Sequence, residues 1–337
     1  MNLTLKDIAK NLGISVATVS KALKDYKDVS SSTKKRVIDY TNTVGFKPNK
    51  QAAFLRTKRT KLIGLILPKI NHDFFNNFLI GLLNKLEKTD YKLTLLCSDD
   101  SYEKERKYVM ELIQLNVDAI FISIAKETNQ FDHLKEIQKN KTTLILFDHY
   151  AKIIASNRVI VDNRKASFLA TEHLIQKGCE KISCFRGELI SQTSIDRFMG
   201  YKDALALYGL QFKRELVLIC SENTIEEGER QAMELLNKKI QIDGLVAVSD
   251  LIALGAMNYF KKIGIKIPED IAVIGFGDWT MSSMVSPSLS SIKQNGFLMG
   301  KKVFDLFIKS QKNNAEEESY VTELIPTELI IRESTCR

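Results

Sequence analysis

Residues 4–23 read Thr4-Leu5-Lys6-Asp7-Ile8-Ala9-Lys10-Asn11-Leu12-Gly13-Ile14-Ser15-Val16-Ala17-Thr18-Val19-Ser20-Lys21-Ala22-Leu23. Leu5, Ile8, Ala9 and Leu12 recur at i, i+3, i+4 and i+7, which predicts a helix over about Leu5 to Leu12 with one buried face. Thr4 and Asp7 have the spacing of a capping box, with Asp in place of the usual Glu. Gly13 suits a left-handed helix exit, and Ser15 is a good N-cap for a second helix. At about 100° per residue, Val16, Ala22 and Leu23 lie close to Val19 and are assigned to its core face, with Ala17, Ser20, Lys21 and Lys24 opposite. Two short helices around a tight turn have the shape that lays one helix in the major groove of DNA.

The charge supports that reading. Residues 1–61 hold 14 Lys/Arg against 4 Asp/Glu, a net of +10, whereas the remainder holds 35 against 37. Basicity confined to the first fifth of a chain is the footprint of a polyanion-binding module. A third helix is expected over Ser31 to Thr43, with Val37, Tyr40 and Val44 on one side; Gly45 ends it and Pro48 bars its continuation. Residues Asn49 to Arg56 have a capping Asn but are too few to hold a helix alone. This predicts an element ordered only when something holds it, followed by a basic linker to Lys61.

From Lys61 onward, apolar runs alternate with helical segments: Leu62–Leu67, Leu93–Cys97, Ala119–Ile124, Thr143–Phe147, Val159–Val161, Ile182–Phe185, Leu216–Cys220, Gly244–Val248 and Ile271–Gly275. Runs so uniformly apolar read as buried parallel strands, and the alternation predicts a doubly wound α/β body. Its length suggests two lobes: one over about 61–161 and 292–322, the other over about 162–291 and 323–337. The headpiece is assigned to 1–60, with a hinge helix at 49–56.

Ligands in open α/β sheets sit beyond the carboxyl ends of the strands. The residues there are Phe74, Phe75, Asp148, Arg197, Asn223, Ser249, Asp250 and Asp278. Carboxylates and an arginine among aromatic planes suit a polyhydroxyl ligand. Trp279, the only tryptophan, stacks on ligand or simply packs. No two histidines have metal-ligand spacing, and the five scattered cysteines read as reduced thiols, so no metal is expected. Phosphate-loop, dinucleotide and GxSxG signatures are absent, and neither a cofactor nor an enzyme is expected. No apolar run is long enough for a membrane span, and no secretory leader is visible. A cytoplasmic location is therefore expected. An exported sugar-binding protein or a sugar-processing enzyme are the competing readings. The first predicts an export signal and no basic headpiece; the second predicts turnover of its ligand.

Several pieces together resemble the LacI/GalR family of transcription regulators, the lactose-repressor-like proteins. They are Leu5-Lys6-Asp7-Ile8-Ala9, Gly13-Ile14-Ser15, Ala17-Thr18-Val19-Ser20, Val29-Ser30 with Thr33, Gly45-Phe46 with Pro48-Asn49, and Ile63-Gly64-Leu65-Ile66. The resemblance implies an all-α helix-turn-helix headpiece on a periplasmic-binding-protein-like body, with an effector between the lobes. It implies that Val16, Ala17 and Lys21 approach base edges. Leu55, beside Ala52 and Ala53, would be a minor-groove wedge. Thr4, Ser15, Thr18, Asn49 and Arg56 complete the DNA-facing set. Arg197 and Asp148 match effector-contacting positions, whereas Ser249 stands where relatives usually have Asn and Gly277 where they often have a polar residue. A homodimer joined along Asn76–Leu86 and Leu251–Lys262, reading a pseudo-palindromic operator as a repressor, is the implied assembly. Nothing resembling an added tetramerisation heptad follows Arg332.

Overall fold

The computed structural model describes residues 3–46, 59–311 and 320–337. Its contacts divide the chain into one unit up to Thr60 and another from Lys61. The first carries α1 (Leu5–Leu12), α2 (Val16–Leu23) and α3 (Ser31–Thr43). The capping box closes: Asp7 N donates to Thr4 Oγ1 at 3.3 Å, and Thr4 N donates to Asp7 Oδ2 at 2.8 Å. Gly13 leaves α1 at φ 61°. Ile8, Ala9, Val19, Ala22, Val29 and Val37 form the core of this unit. Val16 departs from its assignment to the core face and is 40% exposed. A helical angle fixes direction around the axis, not whether a neighbour covers the first turn. The hinge helix expected at 49–56, with Asn49, Ala52, Ala53, Leu55 and Arg56, lies outside the described residues.

The second unit begins β1 (Leu62–Leu67), α4 (Asp73–Leu86), β2 (Lys92–Cys97), α5 (Tyr102–Gln114), β3 (Ala119–Ile122), α6 (Asp132–Lys139), β4 (Thr143–Phe147) and β5 (Asn157–Val161). It continues α7 (Asn163–Gln176), β6 (Ile182–Gly187), α8 (Gln192–Leu207), β7 (Val217–Cys220), α9 (Ile225–Asn237), β8 (Gly244–Ala247), α10 (Asp250–Lys262), β9 (Ala272–Gly277) and β10 (Ser290–Gln294). It closes with α11 (Gly296–Ser310), β11 (Thr322–Ile325) and β12 (Thr327–Ile330). Two sheets result, ordered β11-β5-β4-β3-β1-β2 and β12-β10-β9-β8-β6-β7. Every pairing is parallel except β10 with β12. Apolar clusters cover both faces of each sheet, as parallel strands require.

Two lobe crossings differ from expectation. β10 pairs with β9, so the chain returns to lobe one at Asn295 rather than near Ile292. β11 pairs with β5, so the last crossing falls at Pro326 rather than near Glu323. Ser290-Ser291-Ile292-Lys293-Gln294 carries little apolar signal, and its ladder partner decides its lobe. No helix among the described residues is long and apolar enough to cross a membrane.

Candidate ligand cleft and nucleic-acid interface

In the headpiece, Ser15 caps α2: its Oγ accepts from Thr18 N at 3.0 Å and shares a 2.8 Å hydrogen bond with Thr18 Oγ1. Val16, Ala17 and Lys21 are all exposed. The buried stripe turns them outward, which is what a groove-reading helix needs. Lys21 Nζ donates to the Asp28 carboxylate, so its charge is engaged within the headpiece.

In the body, the carboxyl ends of β1, β4, β6, β8 and β9 bring several candidates together. Arg197, on the first turns of α8, is held from three sides. Its Nε donates to Asn163 Oδ1 at 2.9 Å, its Nη1 donates to Val248 O at 2.8 Å, and its guanidinium lies 3.5 Å from the centre of the Phe276 ring. Burial lowers its pKa to about 10, with Asp148 and Asp250 pulling it back up. It remains a cation at neutral pH. Asp148, buried at the end of β4, sits at φ 54°. Its carboxylate has no hydrogen bond among the described residues, and the nearest basic atom is His149 Nε2 at 3.8 Å.

The opposing lobes meet across this region. Thr193 Oγ1 donates to Asp148 O at 3.4 Å, and Thr280 N donates to Asp73 Oδ2 at 2.9 Å. Lys126 reaches from the β3 end to Ser221 O and lies 3.5 Å from Glu188. His72 packs among Phe74, Phe75 and Trp279. His72 Nδ1, His149 Nδ1 and Trp279 Nε1 are buried without a hydrogen-bond partner among the described residues. Such atoms are rare in a folded interior and call for a partner.

Other candidates sit differently from expectation. Phe74 and Phe75 enter the lobe-one core, because α4 turns them onto the sheet and leaves only the His72 side facing the cleft. Asp278 is ion-paired with Arg332 at 2.6 Å, so its charge is neutralised within lobe two. Ser249 caps α10 and donates to Asn223 Oδ1, so each of these two occupies the other. Asp250 is fully buried and structural: it accepts from Trp279 N at 2.7 Å, Ser282 Oγ at 2.8 Å and Ser291 Oγ at 2.6 Å. Burial raises its pKa. It folds the Trp279 turn back onto the sheet end. Gly277, at φ 131°, permits this turn, since a Cβ there would stand 2.7 Å from the indole.

Sequence reasoning left out Asn163 and Phe276, the two side chains that position Arg197, and set His72 aside. Asn163 is 34 residues from Arg197 in sequence, and no local pattern joins them. The signal for His72 was its place in the loop after β1, in His72-Asp73-Phe74-Phe75.

Comparison with known proteins gives the same two parts. Residues 4–49 match the model described as bacterial regulatory proteins, lacI family. Residues 60–333 match the model described as periplasmic binding proteins and sugar binding domain of LacI family. The chain is 32% identical to the HTH-type transcriptional regulator RegA of Clostridium saccharobutylicum, over 99% of this chain and 100% of that one. It is 30% identical to the ribose operon repressor of Halalkalibacterium halodurans, over 98% and 97%. A solved structure of the lac repressor dimer, bound to operator and the anti-inducer ONPF, shares its fold at a TM-score of 0.83 and 22% identity, covering 99% of each chain. The chain belongs to the LacI family of bacterial regulatory proteins, a transcription regulator that joins a DNA-binding headpiece to a body of the sugar-binding kind.

Proposed function

We propose that a small sugar-like metabolite binds between the two lobes and gates operator binding by a homodimeric repressor. One observation carries the ligand reading: His72, His149 and Trp279 leave buried ring nitrogens unpartnered beside the unbonded carboxylate of Asp148 and the anchored guanidinium of Arg197. Hydroxyl groups both donate and accept, so a polyol satisfies this mixed set at once. Arg197 donates from lobe two and Asp148 accepts from lobe one. Phe75 backs His72, and the Asn223–Ser249 and Asp278–Arg332 pairs form the rim. The ribose operon repressor among the relatives supports the sugar class.

On the DNA side, Val16, Ala17 and Lys21 read base edges, with Thr4, Ser15 and Thr18 beside them. Leu55, with Asn49, Ala52, Ala53 and Arg56, serves the minor groove. Dimerisation follows from half-site reading. Ile80 and Leu83, 57% and 41% exposed on α4, supply apolar surface for it. The protein works in the cytoplasm, where its DNA is, and carries out no turnover.

A thermal-shift screen of pentoses, hexoses and disaccharides tests the reading, because a ligand selective for the native state raises the midpoint by mass action. A hit should raise the midpoint of the natural chain and not that of Arg197→Ala. It should also change operator affinity and be recovered unaltered. A hit that acts equally on both proteins removes Arg197 from the site.

A further inference from the structure

Arg197 is hydrogen-bonded to the residue that follows an inter-lobe crossing. β5 ends at Val161 in the lobe-one sheet, and α7 begins at Asn163 in lobe two. Asn163 is 2% exposed. Its Oδ1 accepts from Arg197 Nε at 2.9 Å, and its Nδ2 lies 3.4 Å from Val161 O. The contact between α7 and α8 continues at three-residue intervals along α8. A Cβ at Gly200 would stand 2.0 Å from Arg164 O, so the two backbones touch there. Asp203 pairs with Arg164 one turn further on. Positions 197, 200 and 203 therefore clasp the first turn of α7 along one face.

We propose that Asn163 is a positioning residue that joins the cleft guanidinium to the Val161–Asp162 crossing, so that orientation of Arg197 and the setting of the lobes are one variable. It rests on the reading of Arg197 as a cleft residue. α8 and the first turn of α7 move as a unit, because there is no slack at Gly200 for them to slide. Any pull on Arg197 from a ligand reaches Asn163 through one charge-assisted hydrogen bond. From there it reaches the crossing through two peptide units. The other partners of Arg197, Val248 O just past the end of β8 and Phe276 in β9, belong to lobe two alone and offer no such route.

Hydrogen–deuterium exchange of the full-length protein, without ligand, tests the link at the amides of residues 160–166. Arg197→Met and Asn163→Ala should each speed exchange there roughly tenfold, the size set by one charge-assisted hydrogen bond. The double variant should match Asn163→Ala within about twofold, because Asn163→Ala already removes the Arg197 bond along with its own contact to Val161 O. Asn163→Asp keeps an acceptor for Arg197 but loses the donor to Val161 O, so it should exchange more slowly than Asn163→Ala. It also serves if Asn163→Ala does not fold, as judged by circular dichroism. Unchanged exchange in Arg197→Met overturns the proposal. So does exchange in the double variant well beyond that of Asn163→Ala, or exchange in Asn163→Asp as fast as in Asn163→Ala. With no ligand present, failure here leaves the effector reading standing, and failure of the screen above leaves the link standing.

Discussion

The imidazole of His72, on lobe one, meets the indole of Trp279, on lobe two, nearly edge to face with ring centroids 4.4 Å apart. Burial draws the His72 pKa down from 6.5 to about 4, while Asp148 and Asp73 pull it up and His149 and Arg197 press it down. The unfolded chain takes up this proton near its ordinary value, and the native state takes it up only near 4. The unfolded state therefore binds more protons between these values, and stability falls as pH drops through that window. The loss should be about 1–3 kcal/mol, discounted for the part of the ring that meets solvent. Urea midpoints at neutral and mildly acid pH check it. The same slope in His72→Gln would assign the effect elsewhere.

Asp250→Ala strips three hydrogen-bond donors, on Trp279, Ser282 and Ser291, of their buried acceptor. It should cost about 3 kcal/mol of stability. It should also release the Trp279 turn, and with a single tryptophan in the chain the emission should shift red. Emission unchanged in a folded variant would show that the turn holds without Asp250.

Arg197→Ala should weaken effector binding by about 1.5–3 kcal/mol, the value of a charge-assisted hydrogen bond. Phe276→Leu removes only the ring beneath the guanidinium and should cost about 0.5–2 kcal/mol. Calorimetry with the ligand found by screening measures both. A larger loss in Phe276→Leu than in Arg197→Ala would contradict this order.

Deleting residues 1–60 should abolish DNA binding and leave a folded, ligand-competent body. In the full chain, binding should weaken linearly in log–log fashion with salt, as phosphate contacts require. Asp28→Asn frees Lys21 from its carboxylate partner and removes a repulsive charge beside DNA. It should raise affinity for random duplex. Fluorescence anisotropy across a salt series reads all three, and an Asp28→Asn protein that binds more weakly would show that the pair serves recognition intact.

Gly200→Ala forces a methyl against Arg164 O, where a Cβ stands only 2.0 Å away. Chemical denaturation should show a loss of about 1–3 kcal/mol. An unaffected midpoint would mean that α7 and α8 can part without cost.

The sequence by itself determined the elements and the division of labour between them. Leu5, Ile8, Thr4, Asp7, Gly13 and Ser15 specify α1, its turn and the start of α2 through local periodicity and capping, which need no distant partner. Most of the apolar runs of the body specify buried parallel strands for the same reason. Leu93–Cys97, however, lies on the edge strand β2, where none of its residues is buried, because a neighbour on one side only leaves it open to solvent. Asp148 and Arg197 were legible at the ligand site because such folds bind ligands beyond strand ends and because both match the family's effector-contacting positions. The structure places Asp148 just after β4 and Arg197 on α8. Tertiary structure alone decided which candidate polar groups are committed elsewhere. Asp278 is matched by Arg332, 54 residues away, and Asn223 by Ser249, 26 away. It also decided that Ser290–Gln294 belongs to lobe two, that Phe74 and Phe75 turn into the core, and that Asn163 stands behind Arg197. These are pairings between residues far apart in sequence. Ladder partners and buried hydrogen bonds are fixed by where the folded chain brings groups together, and no local spacing encodes that.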